Sequence, residues 1–288
     1  MKKTTDWKDY EIIATGDGQK LERWGNVYLL RPDPQIIWHS QIDMDRYPKL
    51  NARYNANGKI GEKWEILRPV PETFFVSRKG LTFGLKLMKG FKHTGLFPEQ
   101  AVNWDQMQEM IINANRPIKV LNLFAYTGGA TLACLKAGAS VTHVDAAQSM
   151  VLRAKENQAL SGLENTSCRW IIDDCLKFVN REIRRGNKYD AIIMDPPSFG
   201  RGPNGELWKI EEKVFDLIET TKEILSDKPL FYLINSYTTG LQPTVINNLL
   251  KINFASFQGE SEAYEVTLPT DEGFDLPCGC SGLYKYKN

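Results

Sequence analysis

Tyr189-Asp-Ala-Ile-Ile-Met-Asp195-Pro-Pro-Ser-Phe199 is the stretch on which the fold turns. Its first half is an apolar run that reads as a buried strand. An acid and two prolines stop that run and stiffen the loop that follows. A buried strand with a rigid loop at its carboxyl end belongs to an open α/β sheet, where ligands bind along that edge. The loop also carries chemistry. The Asp195 carboxylate and a backbone carbonyl that cannot swing away make two acceptors, suited to an N–H donor such as an amine on a planar ring. Phe199 offers a face on which that ring can stack. The competing reading is a proline-rich turn with a locally satisfied aspartate.

Outward from this stretch the chain alternates strand and helix. Strands are expected at residues 118–124, 140–144, 168–172, 189–194 and 229–234, with helices at 129–137, 147–160, 175–185, 211–225 and 243–251. That rhythm implies βαβ units and a doubly wound, mostly parallel sheet. Strand-like segments at 255–258 and 282–286 add an antiparallel edge and bring the expected sheet to seven strands. Residues 10–85 read differently, as short strands (10–14, 26–30, 63–67) and a hairpin, 74–77 with 81–85 around Arg-Lys-Gly. A small β-rich domain, 1–85, is therefore expected ahead of an α/β domain, 86–288.

Composition narrows the class. Of 288 residues 42% are hydrophobic and 11% aromatic, enough to bury a sizeable core. No apolar run reaches the length of a membrane span, and Met-Lys-Lys-Thr-Thr-Asp lacks the apolar stretch of a signal peptide. Five cysteines (Cys134, Cys168, Cys175, Cys278, Cys280) form no framework, which suits a reducing cytoplasm. A net charge of +1 gives no global field for a polyanion. The charges are unevenly spread, however. Five basic residues and no acid lie between Arg78 and Lys92, including Lys86, Lys89 and Lys92, and six acids and no base lie in 258–276. Either segment can simply be a solvated face.

Four strands end in residues that a nucleoside cofactor would use. After the first comes Ala125-Tyr-Thr-Gly-Gly129, a glycine-bearing turn into a helix N-terminus. The dinucleotide fingerprint G-x-G-x-x-G is absent, which counts against nicotinamide or flavin. After the second stands Asp145, placed to hold two ribose hydroxyls or to cap a helix. After the third, Asp173-Asp174 offers an acceptor for an adenine amine, or again a cap. The proline loop is the fourth.

Together, Leu121-Asn-Leu-Phe-Ala-Tyr-Thr-Gly-Gly129, Val144-Asp145, Asp174-Cys-Leu-Lys-Phe178 and Asp195-Pro-Pro-Ser-Phe199 resemble the class I S-adenosylmethionine-dependent methyltransferases. Within these the chain is most similar to the bacterial group containing the large-subunit ribosomal RNA cytosine-5 and guanine-N7 enzymes. The resemblance covers residues 80 to 288 and includes His93-Thr-Gly-Leu-Phe-Pro-Glu-Gln100, similar to the segment that precedes the sheet in that group. It implies S-adenosyl-L-methionine as cofactor and RNA as partner. The backbone around Phe124, Ala125, Tyr126, Thr127 and Gly128 would meet the methionine end. Asp145 with Ala146 would take the ribose, and Asp174 with Cys175 the adenine. Phe97 and Gln100 would close the site from the sheet's leading edge. Asp195 and Pro196 would sit beside the methyl group, with Pro197, Ser198 and Phe199 against the target base. Where rRNA relatives carry Asp-Gln-Arg, this chain has Glu99-Gln100-Ala101.

Cytosine-5 methylation needs a cysteine thiolate, and the related cytosine enzymes place it after the fifth strand. Here that segment is Asn235-Ser-Tyr-Thr-Thr239. A nitrogen target is therefore expected, with no metal: Cys278 and Cys280 have no histidine near them in sequence. The basic segment, with Lys86, Lys89 and Lys92, would meet RNA. A protein or small-molecule acceptor, a non-catalytic cofactor-binding RNA or assembly factor, and a dehydrogenase with a degenerate glycine turn are the alternatives. Monomer and homodimer both accord with the sequence.

Overall fold

The computed structural model describes residues 1–55, 63–201 and 207–287. Two compact units emerge: a smaller one of Lys3–Glu99 with Thr267–Pro277, and a larger one of Met1–Lys2, Gln100–Val266 and Cys278–Asn288. Residues 267–277 belong to the smaller unit through bonds such as Thr15 N to Glu272 (2.7 Å) and Asp271 N to the Ile12 carbonyl (2.8 Å).

After the two-residue β1 (Lys2–Lys3), strands β2 (Tyr10–Gly16), β3 (Gln19–Trp24), β4 (Val27–Pro32), β5 (Ala52–Asn55) and β6 (Lys63–Ile66) form a five-stranded sheet in chain order. Strands β7 (Phe74–Arg78) and β8 (Leu81–Leu85) make the expected hairpin. β3 escapes the sequence reading because Gln-Lys-Leu-Glu-Arg-Trp looks like a charged surface. Its charges are instead matched by neighbours: Lys20 to Asp33 (3.1 Å), Arg23 to Glu11 (2.6 Å) and Glu22 to Arg31 (2.6 Å). Burial alone would raise the Glu22 carboxyl. Arg31, Lys20 and the Tyr10 hydroxyl reverse that and hold it below its ordinary range.

The larger unit contains α1 (Ala101–Asn113), β9 (Lys119–Leu123), α2 (Gly129–Lys136), β10 (Ser140–Asp145), α3 (Gln148–Leu160), β11 (Cys168–Ile172) and α4 (Cys175–Arg185). It continues with β12 (Ala191–Met194), β13 (Phe199–Arg201), β14 (Leu207–Lys209), α5 (Ile210–Lys222), β15 (Phe231–Ser236), α6 (Pro243–Asn253) and the greater part of β16 (Gly259–Pro269) and β17 (Asp275–Tyr286). Its sheet runs β1-β16-β17-β15-β12-β9-β10-β11. Strands β11, β10, β9, β12 and β15 are parallel, and β17 is antiparallel to β15. Six of the seven expected strands are present, the seventh is replaced by β16 just after the expected segment, and β1 adds a short eighth at the edge.

Every residue of β12 and β15 is buried, which is why both read as continuous apolar runs rather than alternating ones. Chain order reverses between β9 and β12, the switch point where α/β sheets open a crevice. The segment expected as a strand at 255–258 is a turn, and the strand begins at Gly259. A Cβ there would lie 2.4 Å from the Lys285 carbonyl, so only glycine lets β16 approach β17. The acid run is compensated by lysines: Glu262 meets Lys2 (2.8 Å) and Lys285 (3.1 Å), and Asp275 meets Lys3 (2.6 Å). Among the described residues no helix is long and apolar enough to cross a membrane.

Candidate active site at the carboxyl edge of the sheet

Five residues join β9 to α2, and the backbone alternates into the left-handed region at Phe124 (φ +54°), Tyr126 (+50°) and Gly128 (+87°). Two of these are not glycine. Such conformations cost of order 1–3 kcal/mol each and persist only where the surroundings impose them, typically at ligand sites. The surroundings here are explicit. Ala125 N–H donates to the Val144 carbonyl (3.1 Å), Tyr126 N–H to Asp145 Oδ2 (2.8 Å) and Phe124 N–H to Cys175 Sγ (3.3 Å). The two glycines have different duties. Gly128 supplies the left-handed turn. Gly129 makes room for α1, since a Cβ would lie 2.5 Å from Trp104 Cζ2.

The acids follow. Asp145 Oδ1 accepts from Ala147 N–H (2.8 Å), so its two oxygens tie its own turn to the glycine loop. It is not the cap of α3: Ala147 holds that position, with no side-chain cap bond. Each carboxylate oxygen has a second lone pair for a hydroxyl donor. Ala146, next in the chain, is exposed. Asp174 does cap its helix, Oδ1 accepting from Lys177 N–H at 2.9 Å, while Asp173 pairs with Arg181. Cys175 lies buried beneath the glycine loop, and burial pushes its thiol well up.

The proline loop is held from several sides. Asp195 N–H points to the Leu123 carbonyl (3.4 Å), placing the loop beside the end of β9. The Pro197 carbonyl accepts from Trp208 Nε1 (2.6 Å) and the Ser198 carbonyl from Ile210 N–H (3.1 Å). Thr238 Oγ1 donates to Ser198 Oγ (2.6 Å). Phe199 opens β13, pairs across to Lys209 and is 59% exposed, so its ring is available for stacking. The Trp208 ring stands 6.2 Å from that of Phe124. The hairpin β13–β14, Trp208 and Thr238 were not anticipated. The one signal for them was an isolated tryptophan in the glycine-rich stretch just after the motif.

Gln100 precedes α1 and donates through Nε2 to the Tyr237 hydroxyl (2.9 Å). Asn103 Nδ2 donates to Gln100 Oε1 (2.7 Å) and Ser281 Oγ (2.8 Å), Ser281 Oγ to Asn235 Oδ1 (2.7 Å), and Tyr264 to Asn103 Oδ1 (2.7 Å). A satisfied buried network of this kind fixes one arrangement of α1 against β15 and β17. Phe97 falls in the smaller unit, its ring 5.2 Å from His93, whose imidazole burial pushes down to about 4. Lys86 lies 3.8 Å from Glu72 and Lys89 is exposed. Lys92 spends its ammonium on the Pro32 carbonyl (3.2 Å), and burial lowers its pKa.

No thiol follows β15. Cys280 stands across from Ser236 and donates to the Leu241 carbonyl (2.8 Å), and burial pushes it up to about 11. Among the described residues no group of three or more His, Cys, Asp or Glu could hold a metal ion.

This donor set fits a nucleoside carrying an amino-acid tail. Carboxylates stand where hydroxyl and amine donors need acceptors, and the first turn of α2, behind the strained loop, has N–H groups for a carboxylate. Known proteins share the fold and much of the sequence. The SAM-dependent methyltransferase of Agrobacterium tumefaciens superposes with a TM-score of 0.91 at 34% identity, over 99% of this chain and 93% of that one. Ribosomal RNA large subunit methyltransferase I of Klebsiella pneumoniae is 39% identical over 220 residues, 66% of this chain and 51% of the relative. Ribosomal RNA large subunit methyltransferase K/L of Shewanella baltica is 30% identical over 194 residues, 67% of this chain. The chain spans about a quarter of that relative's length and half of the Klebsiella protein's. The description S-adenosylmethionine-dependent methyltransferase matches residues 38–215, more than half of the chain. Acids at the strand ends beside the switch point, a strained glycine loop and that match lead to one conclusion: the chain belongs to the S-adenosylmethionine-dependent methyltransferase family.

Proposed function

We propose that this protein is a cytoplasmic enzyme that methylates a nucleobase nitrogen of ribosomal RNA by direct in-line transfer, without a covalent enzyme–base adduct. S-adenosylmethionine, when bound, supplies a methyl group on a positively charged sulfur. Asp145 would hold its ribose, Asp174 its adenine amine, and the 124–128 loop its methionine end. Asp195 and the Pro196 carbonyl accept hydrogen bonds from the target N–H and aim its lone pair, while Phe199 stacks on a base that has left its helix. Alignment and exclusion of water are then the main work, so no strong general base is needed.

The observation that carries the nitrogen assignment is the state of the sulfur at this edge. Attack at cytosine C6 needs a thiolate. Residues 235–239 contain none, and the Cys280 thiol is hydrogen-bonded and held protonated. RNA as acceptor is supported by the names of the K/L and I relatives. The test is to incubate the protein with an unmodified large-subunit rRNA transcript, and with immature large subunits, using tritiated cofactor, and to analyse the digested nucleosides by mass spectrometry. An N-methylated nucleoside is expected. 5-Methylcytidine that disappears in Cys278→Ala would overturn the nitrogen assignment, and label in protein alone would overturn the RNA.

A further inference from the structure

We infer that Trp208 is a positioning residue for methyl transfer, setting which acceptors of the proline loop face the methyl group; this rests on the acceptor role proposed for Asp195. Three observations carry it. The indole N–H lies 2.6 Å from the Pro197 carbonyl, so that carbonyl belongs to the scaffold and the Pro196 carbonyl is left as the backbone partner of Asp195. Trp208 pairs with Gly200 in the hairpin that directly continues the loop, so its position is coupled to the loop's own backbone. Its ring also stands 6.2 Å from Phe124, the first left-handed residue of the cofactor-side loop. One side chain therefore bears on both partners of the reaction. A misplacement of about 1 Å between reacting groups can cost a hundredfold in rate, and prolines fix the loop's torsions but not its height above the sheet.

Sinefungin, in which an amine-bearing carbon replaces the sulfur and its methyl group, serves as the probe. Its ammonium projects where the methyl would be, toward Asp195 and the Pro196 carbonyl. S-adenosylhomocysteine lacks that group. The ratio of their affinities, measured by calorimetry on the full chain, reports acceptor geometry without any RNA. Two variants are compared: Trp208→Phe, and replacement of Trp208 by benzothienylalanine, which keeps the ring's shape and removes only the N–H. In both, S-adenosylhomocysteine affinity should stay within about twofold and the preference for sinefungin should fall about fivefold or more. A benzothienylalanine protein that keeps its preference within twofold overturns the role of Trp208, provided Asp195→Ala loses it. If Asp195→Ala also keeps it, or the wild type has none, the acceptor role of Asp195 falls and the inference with it.

Discussion

The two loops that meet at the switch point are fixed by opposite means. The glycine loop is shaped from within and below: left-handed residues at 124, 126 and 128, a carboxylate from the next strand and a buried thiol under its first amide. The proline loop is shaped from outside, by an indole, a helix amide and a threonine that come from later segments. The first loop is strained and depends on its sheet; the second is stiff and depends on its clamps. A loop proposed to hold a cofactor gains from strain held by a packed core, since its backbone then keeps one shape when no ligand is bound. A loop proposed to admit a large substrate gains from anchors on its outer side, which leave its inner side to the partner.

The division makes predictions of decreasing size. Asp195→Ala should cut turnover roughly a hundredfold to a thousandfold, the usual cost of removing a placed hydrogen-bond group, while cofactor affinity changes little. Single-turnover transfer beside calorimetry checks this, and equal losses in both would mean that the loops do not divide the labour. Asp145→Ala should do the reverse. It removes two backbone bonds and the proposed ribose acceptor, so cofactor binding should weaken by about 1.5–3 kcal/mol. Unchanged affinity would remove Asp145 from the site.

Gly129→Ala tests the inner loop's dependence on packing. Its new Cβ would meet the Trp104 ring at 2.5 Å, and overpacking of this kind costs about 1–3 kcal/mol in urea unfolding. A neutral result would show that α1 can shift without harm. His143, buried on β10 and bonded to Thr131 at 2.9 Å, is pushed down by burial to about 3. The unfolded chain binds its proton near pH 6.5 and the folded one does not, so stability is lost as pH falls through that window. The loss should be about 2 kcal/mol between pH 7 and 5. His143→Gln should remove that share and leave the comparable share of His93, also pushed down by burial, and a slope left unchanged would assign it to other groups. Smallest is Thr238→Val, which removes one of the outer clamps. Turnover should drop severalfold, about 1 kcal/mol, with S-adenosylmethionine affinity unchanged. A larger fall in affinity than in turnover would place Thr238 on the cofactor side.

The sheet was legible because its signals are local. β11 (Cys168–Ile172) and α4 (Cys175–Arg185) fall where apolar period and the Asp174 cap put them. The misses share a cause. β3 hid behind charges whose partners lie on β2, β4 and the turn after it, and α1 hid because its inner face carries Asn103 and Trp104 as well as Met107 and Ile111. The short β14 was invisible because three residues have no period. Of the site, Asp145 and Asp195 could be named from their places after strands, but Trp208 could not, because a tryptophan in a loop does not declare its partner.

By itself, then, the order of residues determined the alternation of strand and helix, the edge at which the acids gather and the stiffness of the loop after β12. Each of these follows from torsional limits and hydrophobic period within about ten residues. Tertiary structure alone decided which carbonyl the indole takes, which aspartate caps a helix and which links two loops, and that Cys280 is buried and protonated. Those outcomes depend on groups brought together from distant parts of the chain, and sequence spacing does not encode such distances.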